Sequence, residues 1–191
     1  EAGSVTTLPD ADVLRRPGSV GPPAPGVEIR IGEDHQVEVR SPSLMSEYFD
    51  DPEATRAAFR DGWFRSGDLG VIDADGALSI VGRANEVIRS GGESVAPAEV
   101  EAVLAAVSGV REVAVVGLPD PDWGEIVCAA VVLEAGFDLD LEALQAACEG
   151  TLAGYKKPRR LEIIEALPRT AATRQVQRTL LVEQILAATP A

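Results

Sequence analysis

Histidine is almost missing from this chain: His35 is the only one among 191 residues. A zinc site built on imidazoles, or a Ser-His-Asp triad, therefore has almost no material to work with. Cysteine is nearly as scarce. Cys128 and Cys148 both fall inside apolar patterns, which predicts two buried thiols in a reducing compartment rather than a disulfide or metal pair. No apolar run approaches the ~20 residues that a membrane-spanning helix needs. No basic-then-apolar leader opens the chain, so the expectation is a cytoplasmic protein without a membrane span. Positive charge is also in short supply, with 17 Lys and Arg against 31 Asp and Glu, a formal net charge of −14. Such a balance argues against a general nucleic-acid binder, because a phosphate backbone demands cationic surface.

The cations that exist are concentrated. Residues 154–178 carry Lys156, Lys157, Arg159, Arg160, Arg169, Arg174 and Arg178, with Glu162 and Glu165 as the only acids. On charge alone this is either a seat for a small anionic ligand or a solvated basic face. Residues 1–26 are rich in Gly, Pro, Ser and Thr and read as loops and turns. Val27–Ile31 and Gln36–Arg40 alternate apolar and polar residues, predicting strands with one wet face. Asp51-Pro52 opens a short helix through Ala54–Phe59. Ala74-Asp75-Gly76 is a turn signal between two strand-like runs. Beyond Arg83 the pattern changes. A helix begins at Ala96-Pro97 with Val100, Val103, Leu104 and Val107 as its apolar face. Val113–Val116 and Ile126–Leu133 read as buried strands, and Leu141, Leu144, Cys148 and Leu152 as a second amphipathic helix. Leu161–Ile164 reads as a strand and Thr179–Leu186 as a final helix. The fold class is α+β: a β-rich portion over 1–83, then an α+β unit over 84–191, with the boundary near 83–85.

Four segments carry the chemistry. They are Gly62-Trp-Phe-Arg-Ser-Gly-Asp-Leu69, Gly82-Arg-Ala-Asn-Glu-Val-Ile-Arg-Ser-Gly-Gly-Glu-Ser-Val-Ala-Pro-Ala-Glu-Val-Glu101, Asp120-Pro-Asp-Trp-Gly-Glu125, and Leu152-Ala-Gly-Tyr-Lys-Lys-Pro-Arg159 with Leu167-Pro168 behind it. A carboxylate fixed after a glycine turn, as Asp68 is, can accept hydrogen bonds from two neighbouring hydroxyls, such as a ribose diol. In order and spacing the set resembles the adenylate-forming (AMP-binding) family of acyl- and aryl-CoA synthetases. The likeness covers essentially the whole chain. It implies the β-rich end of a large AMP-binding domain followed by a small mobile lid. It also implies a two-step reaction in which ATP activates a small carboxylic acid as an acyl-adenylate and the thiol of coenzyme A then takes the acyl group.

Carried onto this chain, the resemblance implies that Asp68 binds ribose hydroxyls and that Arg83 lies beside the ribose and phosphate. Glu1 would support a Mg²⁺–ATP site, Asn85 would be the hinge, and Gly91 and Gly92 would let backbone approach the pantetheine. Asn tolerates the left-handed backbone region that a hinge can require. Trp123 and Tyr155 align with aromatics at the nucleotide end of CoA, or are partly buried core residues. Lys157, with Arg89 as a second candidate, would meet CoA phosphate. Two departures stand out. The family's phosphate loop and nearly all of its acyl pocket lie upstream of the position of Glu1. The chain is therefore expected to be part of a longer enzyme, with that N-terminal part as its partner. And the family's closing Gly-Lys reads Thr173-Arg174, so an arginine stands at the adenylation lysine. Arg keeps the charge but is forked and planar, so it either still contacts carboxylate or phosphate or marks a domain that no longer adenylates. Transfer to a carrier-protein phosphopantetheine, and a non-catalytic nucleotide- or CoA-binding module, stand as alternatives.

Overall fold

The computed structural model describes residues 1–16 and 18–188, which form two compact units, Glu1–Asn85 and Glu86–Ala191. The first unit is an antiparallel sheet of six strands. These are β1 (Ser19–Gly21), β2 (Glu28–Ile31), β3 (Gln36–Arg40), β4 (Phe59–Arg60), β5 (Trp63–Ile72) and β6 (Leu78–Arg83), in the order β1-β6-β5-β3-β2 with β4 also on β5. The single α-helix described in this unit, α1 (Pro52–Ala58), starts where Asp51 caps Ala54 N at 2.8 Å. Asp73 Oδ1 accepts from the amides of Asp75 and Ala77, both at 2.9 Å, and Gly76 has φ +80°, which closes the β5–β6 hairpin.

β3 departs from the expectation of one wet face. Val37 and Val39 are buried as predicted, but Glu38 between them is only 1% exposed. The strand lies between β2 and β5, and Arg30 neutralises the buried carboxylate at 2.6 Å. Arg30 and Arg40 each lie 4.3 Å from the centroid of the Trp63 ring, so guanidinium and indole cover this face together.

The second unit holds β7 (Ile88–Ser90), β8 (Glu93–Val95), α2 (Pro97–Leu104), β9 (Val110–Asp120), β10 (Gly124–Leu133), α3 (Leu141–Ala147), β11 (Arg160–Ile163) and α4 (Arg178–Ala188). β9 and β10 form a long antiparallel hairpin, with β11 parallel on the other side of β10. Their near-continuous apolar runs have a simple cause. Val127, Ala129 and Val131 face one core with Val100 and Leu104 of α2 and Leu144 of α3. Cys128, Ala130 and Val132 face a second core with Leu181 and Ile185 of α4. Helices on both faces leave no wet side, so no polar residue is needed at alternate positions. Burial pushes the Cys128 thiol up to about 12.

The second amphipathic helix is shorter than its apolar spacing predicts. α3 ends at Ala147 with Cys148 as its cap, and Gly150 at φ +73° turns the chain out of the helix. Leu152 still reaches the core, but from the loop that follows. The hairpin β7–β8 lay hidden inside a motif, because two three-residue strands are too short to show periodicity.

Candidate functional site

In the first unit, β5 and β6 place Asp68 opposite Arg83, and Arg83 Nε pairs with Asp68 Oδ1 at 3.0 Å. The pair leaves the Asp68 carboxylate with acceptor sites on its oxygens for incoming hydroxyls. Its amide is held by Ser66 Oγ at 3.1 Å, and Gly67 at φ +76° makes the bend that presents the carboxylate. Asp68 and Arg83 line an open cavity of about 360 Å³ together with Glu1, Tyr48, Arg65 and Ser66. Glu1, which sequence placed at the nucleotide end, is thus brought to the same cavity. Its Oε1 accepts from the Tyr48 hydroxyl at 3.2 Å. Burial, and then the Glu1 charge, raise the Tyr48 hydroxyl above its ordinary value, so it stays a donor to that carboxylate. One carboxylate on a phosphate-bridging Mg²⁺ is what such an ion commonly takes from a protein. Glu1 fits that part, and no group of three or more metal-ligating side chains occurs among the described residues.

In the second unit, three separate turns converge. Gly91 and Gly92, at φ +61° and +85°, are the two central residues joining β7 to β8, across which Ser90 pairs with Glu93. A two-residue hairpin with both central φ positive is the turn that Gly-Gly is suited to. Gly91 and Gly92 thus form a strand-connecting turn, and the two glycines differ within it. A Cβ on Gly91 would lie 2.7 Å from Trp123 Cε3, whereas one on Gly92 would meet nothing. Gly91 N donates to Trp123 O at 2.9 Å. Trp123 itself is fixed by Asp120, whose Oδ1 accepts from the amides of Asp122 and Trp123. The indole is 37% exposed, and the Arg159 guanidinium lies over it, 3.7 Å from the ring centroid. Among the described residues no carboxylate pairs with Arg159.

The structure redistributes the roles expected of the basic run. Lys157 is not a free cation: its Nζ pairs with Glu149 Oε1 at 3.3 Å. Lys156 is held by both oxygens of Glu99 at 2.7 Å. Tyr155 is half-buried and packs against the core beneath α2 and α3. Arg89 donates to Ser94 Oγ, and its amide donates to Glu125 Oε2 at 2.6 Å. Arg159, which sequence reasoning left unassigned, is the exposed cation on the aromatic.

Asn85 is exposed in a 3-10 turn, Ala84–Glu86, and does not use the left-handed region expected of it. The next residue, Glu86, is held by Arg178 at 2.8 Å, and Arg178 also takes Glu101 at 2.7 Å and the Val115 carbonyl at 3.1 Å. Arg174 is the residue of the site that is left-handed, at φ +59°. Non-glycine residues adopt this conformation at a cost of roughly 1 kcal/mol. Its loop is closed by Thr170 N to Gln175 O at 2.9 Å and Arg174 N to Thr170 O at 3.1 Å. The Arg174 guanidinium is exposed and pairs with no described side chain.

Residues 99–174 match the family described as AMP-binding enzyme C-terminal domain. The chain is 41% identical over 184 residues to 2-succinylbenzoate–CoA ligase of Listeria monocytogenes serotype 4b, matching 96% of this chain and 38% of that protein. It is 42% identical over 197 residues to the long-chain-fatty-acid–CoA ligase FadD13 of Mycobacterium tuberculosis, with 98% and 39% covered. ATP-bound MatB from Rhodopseudomonas palustris superposes at a TM-score of 0.87 with 37% identity, over 94% of this chain and 38% of that one. The chain thus spans under two-fifths of the length of the curated relatives it matches. Residues 99–174, which lie in the α+β unit, are therefore an AMP-binding enzyme C-terminal domain, and the strand-borne Asp–Arg pair precedes them in the chain. The chain belongs to the AMP-binding enzyme family, as its motifs lead one to expect.

Proposed function

We propose that this chain serves an ATP-dependent carboxylic acid–CoA ligase in the cytoplasm, acting together with the large N-terminal part of that enzyme. In the first step an oxygen of a small carboxylic acid attacks the α-phosphorus of ATP. The bond from that phosphorus to the bridging oxygen breaks, and pyrophosphate leaves with the electron pair. In the second step the deprotonated sulfur of CoA attacks the acyl carbon and AMP departs. Asp68 and Arg83 hold the ribose, and Glu1 supports Mg²⁺. Arg174 faces carboxylate or phosphate, and Asn85 turns as the hinge. Gly91 and Gly92 lie along the pantetheine, while Trp123 and Arg159, with Arg89 beside them, meet the nucleotide end of CoA. Tyr155 and Lys157 support that surface from behind.

The observation that carries the CoA reading is the unpaired Arg159 guanidinium stacked on a part-exposed Trp123, at the Gly91 turn. A cation over an indole offers charge to a phosphate and a flat edge to a purine at once. Calorimetry of this chain with CoA, dephospho-CoA and AMP tests it. CoA should bind more tightly than dephospho-CoA, which lacks the 3′-phosphate. Equal affinities, or no binding of either, would overturn the assignment to free CoA.

A further inference from the structure

Arg169 has both arms of its guanidinium engaged, and by two different parts of the second unit. Nη1 donates to the carbonyl oxygen of Arg174 at 2.7 Å, and Nη2 donates to Glu112 Oε2 at 2.5 Å. Glu112 belongs to β9, whose partner β10 is the central strand of the sheet. We propose that Arg169 is a positioning residue for Arg174: it clamps the tip of the 168–177 loop to β9 and so fixes where the Arg174 side chain starts. The proposal rests on the ligase reading, in which Arg174 acts in acyl-adenylate formation.

Three features support the clamp. Arg174 holds a left-handed backbone without being glycine, a conformation that persists only where its surroundings enforce it. The other hydrogen bonds of the loop close it on itself rather than on the sheet. Gln177 N reaches Pro168 O at 2.8 Å, Gln175 N reaches Thr170 Oγ1 at 3.2 Å, and the hydroxyls of Thr170 and Thr173 lie 2.5 Å apart. And the exposed Arg174 guanidinium pairs with no described side chain, so its backbone anchor is what sets its origin. A fork with two arms is required at position 169, because one arm must take a carbonyl while the other takes a carboxylate. A lysine ammonium is a single point charge and cannot reproduce that span.

The test uses the intact ligase with Arg169→Gln, Arg169→Lys and Glu112→Gln. Two rates are read: ATP–pyrophosphate exchange, and thioester formation from a preformed acyl-adenylate. Displacing a reacting group by about 1 Å costs on the order of 100-fold, so exchange should fall roughly 10- to 100-fold in both Arg169 variants while the second rate stays within about twofold. Glu112→Gln, which keeps an acceptor but loses the charge, should lie between wild type and those variants. In an Arg174→Ala background, Arg169→Gln should add little further loss, since the two act as one unit. Undiminished exchange in Arg169→Gln, an equal fall in both rates, or additive losses with Arg174→Ala would each overturn the clamp. An intact wild-type ligase that shows no exchange with any carboxylic acid overturns the ligase reading instead, a result distinct from the other three.

Discussion

Placing a methyl group on Gly91 and, separately, on Gly92 divides two effects that usually arrive together. Both residues have positive φ, so alanine at either one carries a strain of about 1 kcal/mol. At Gly92 nothing lies within contact of the added Cβ, and the strain is the whole effect. At Gly91 the new carbon would sit 2.7 Å from Trp123 Cε3 and 2.8 Å from Cζ3, well inside van der Waals contact. Overpacking of this kind costs about 1–3 kcal/mol, and the low end applies because the indole is part-exposed and can swing. Gly91→Ala should therefore destabilise the second unit by about 2–3 kcal/mol in all, against about 1 kcal/mol for Gly92→Ala. Trp63 belongs to the first unit, so in a Trp63→Phe background the fluorescence of Trp123 reports the second unit alone. Urea titration should then show a midpoint shift for Gly91→Ala at least twice that for Gly92→Ala. Native-state emission should change only in the former, because the indole has left the guanidinium of Arg159. CoA affinity should drop with it. Equal shifts for the two alanines, with unaltered Trp123 emission, would refute the close approach on which the recognition surface is built.

Other outcomes follow from the same contacts. Arg178→Ala leaves Glu86 and Glu101 facing each other without their shared cation; breaking a half-buried pair of this kind should cost about 2 kcal/mol, lowering the thermal midpoint of the second unit by roughly 10 °C. Arg159→Gln should weaken CoA binding about tenfold, leave dephospho-CoA almost unchanged, and reduce the salt dependence of CoA binding in calorimetry, as expected for the loss of one charge-assisted contact. The Cys128 thiol, pushed by burial up to about 12, favours its protonated form more in the folded chain than in the unfolded one. Its contribution to stability is therefore complete below the ordinary thiol range and is lost as pH rises towards 12, so the urea midpoint should decline above about pH 9 and Cys128→Ala should flatten that decline. A disulfide-exchange reagent at pH 8 should leave Cys128 untouched until the unit is unfolded.

Periodicity was a good guide wherever one physical cause set the pattern. The runs around Val113 and Ile126 announced strands because helices cover both faces of the sheet, and the 3.6-residue spacing of Val100 and Leu104 announced α2 because only one of its faces is covered. The pattern misled where two causes overlap. Leu152 continues the spacing of α3 because it packs in the same core, yet Gly150 has already ended the helix. Glu38 reads as a wet position because nothing in a β3 period of two shows that Arg30 will neutralise it from the neighbouring strand. At the site, the motifs brought out Asp68, Arg83, Gly91 and Trp123, but they could not rank the cations of the basic run. Lys157 and Arg159 stand two positions apart in the same stretch. What separates them is Glu149 beyond the end of α3, which takes Lys157, and the indole from another turn, which takes Arg159. Such partners come from tertiary folding, and no local spacing encodes them. Arg169 was legible only as one more positive charge until β9 supplied Glu112.

β9 also sets a constraint on how the two candidate surfaces can work. Glu112, near its start, anchors the loop that carries Arg174, and Asp120, at its end, caps the turn that carries Trp123. The eight residue steps from Glu112 to Asp120 span roughly 27 Å at ~3.4 Å per residue. The strand is hydrogen-bonded to β10 along this length, so the separation does not change while the unit remains folded. In the proposed ligase the first step is at the α-phosphorus and the second at the acyl carbon one oxygen away. The Arg174 loop and the Gly91 turn beside Trp123, proposed to lie along the pantetheine, are therefore presented to that linkage in turn. One must withdraw before the other arrives. A rigid unit can do this only by turning as a whole about a point outside its own sheet. Asn85 is the proposed pivot: it is exposed, it follows the last strand of the first unit, and it immediately precedes Glu86, which Arg178 ties into the second. Locking that turn with Asn85→Pro should leave the two half-reactions unequally impaired, one of them sparing at least a tenth of its rate. Equal loss of both, with the fold intact by circular dichroism, would place the pivot elsewhere.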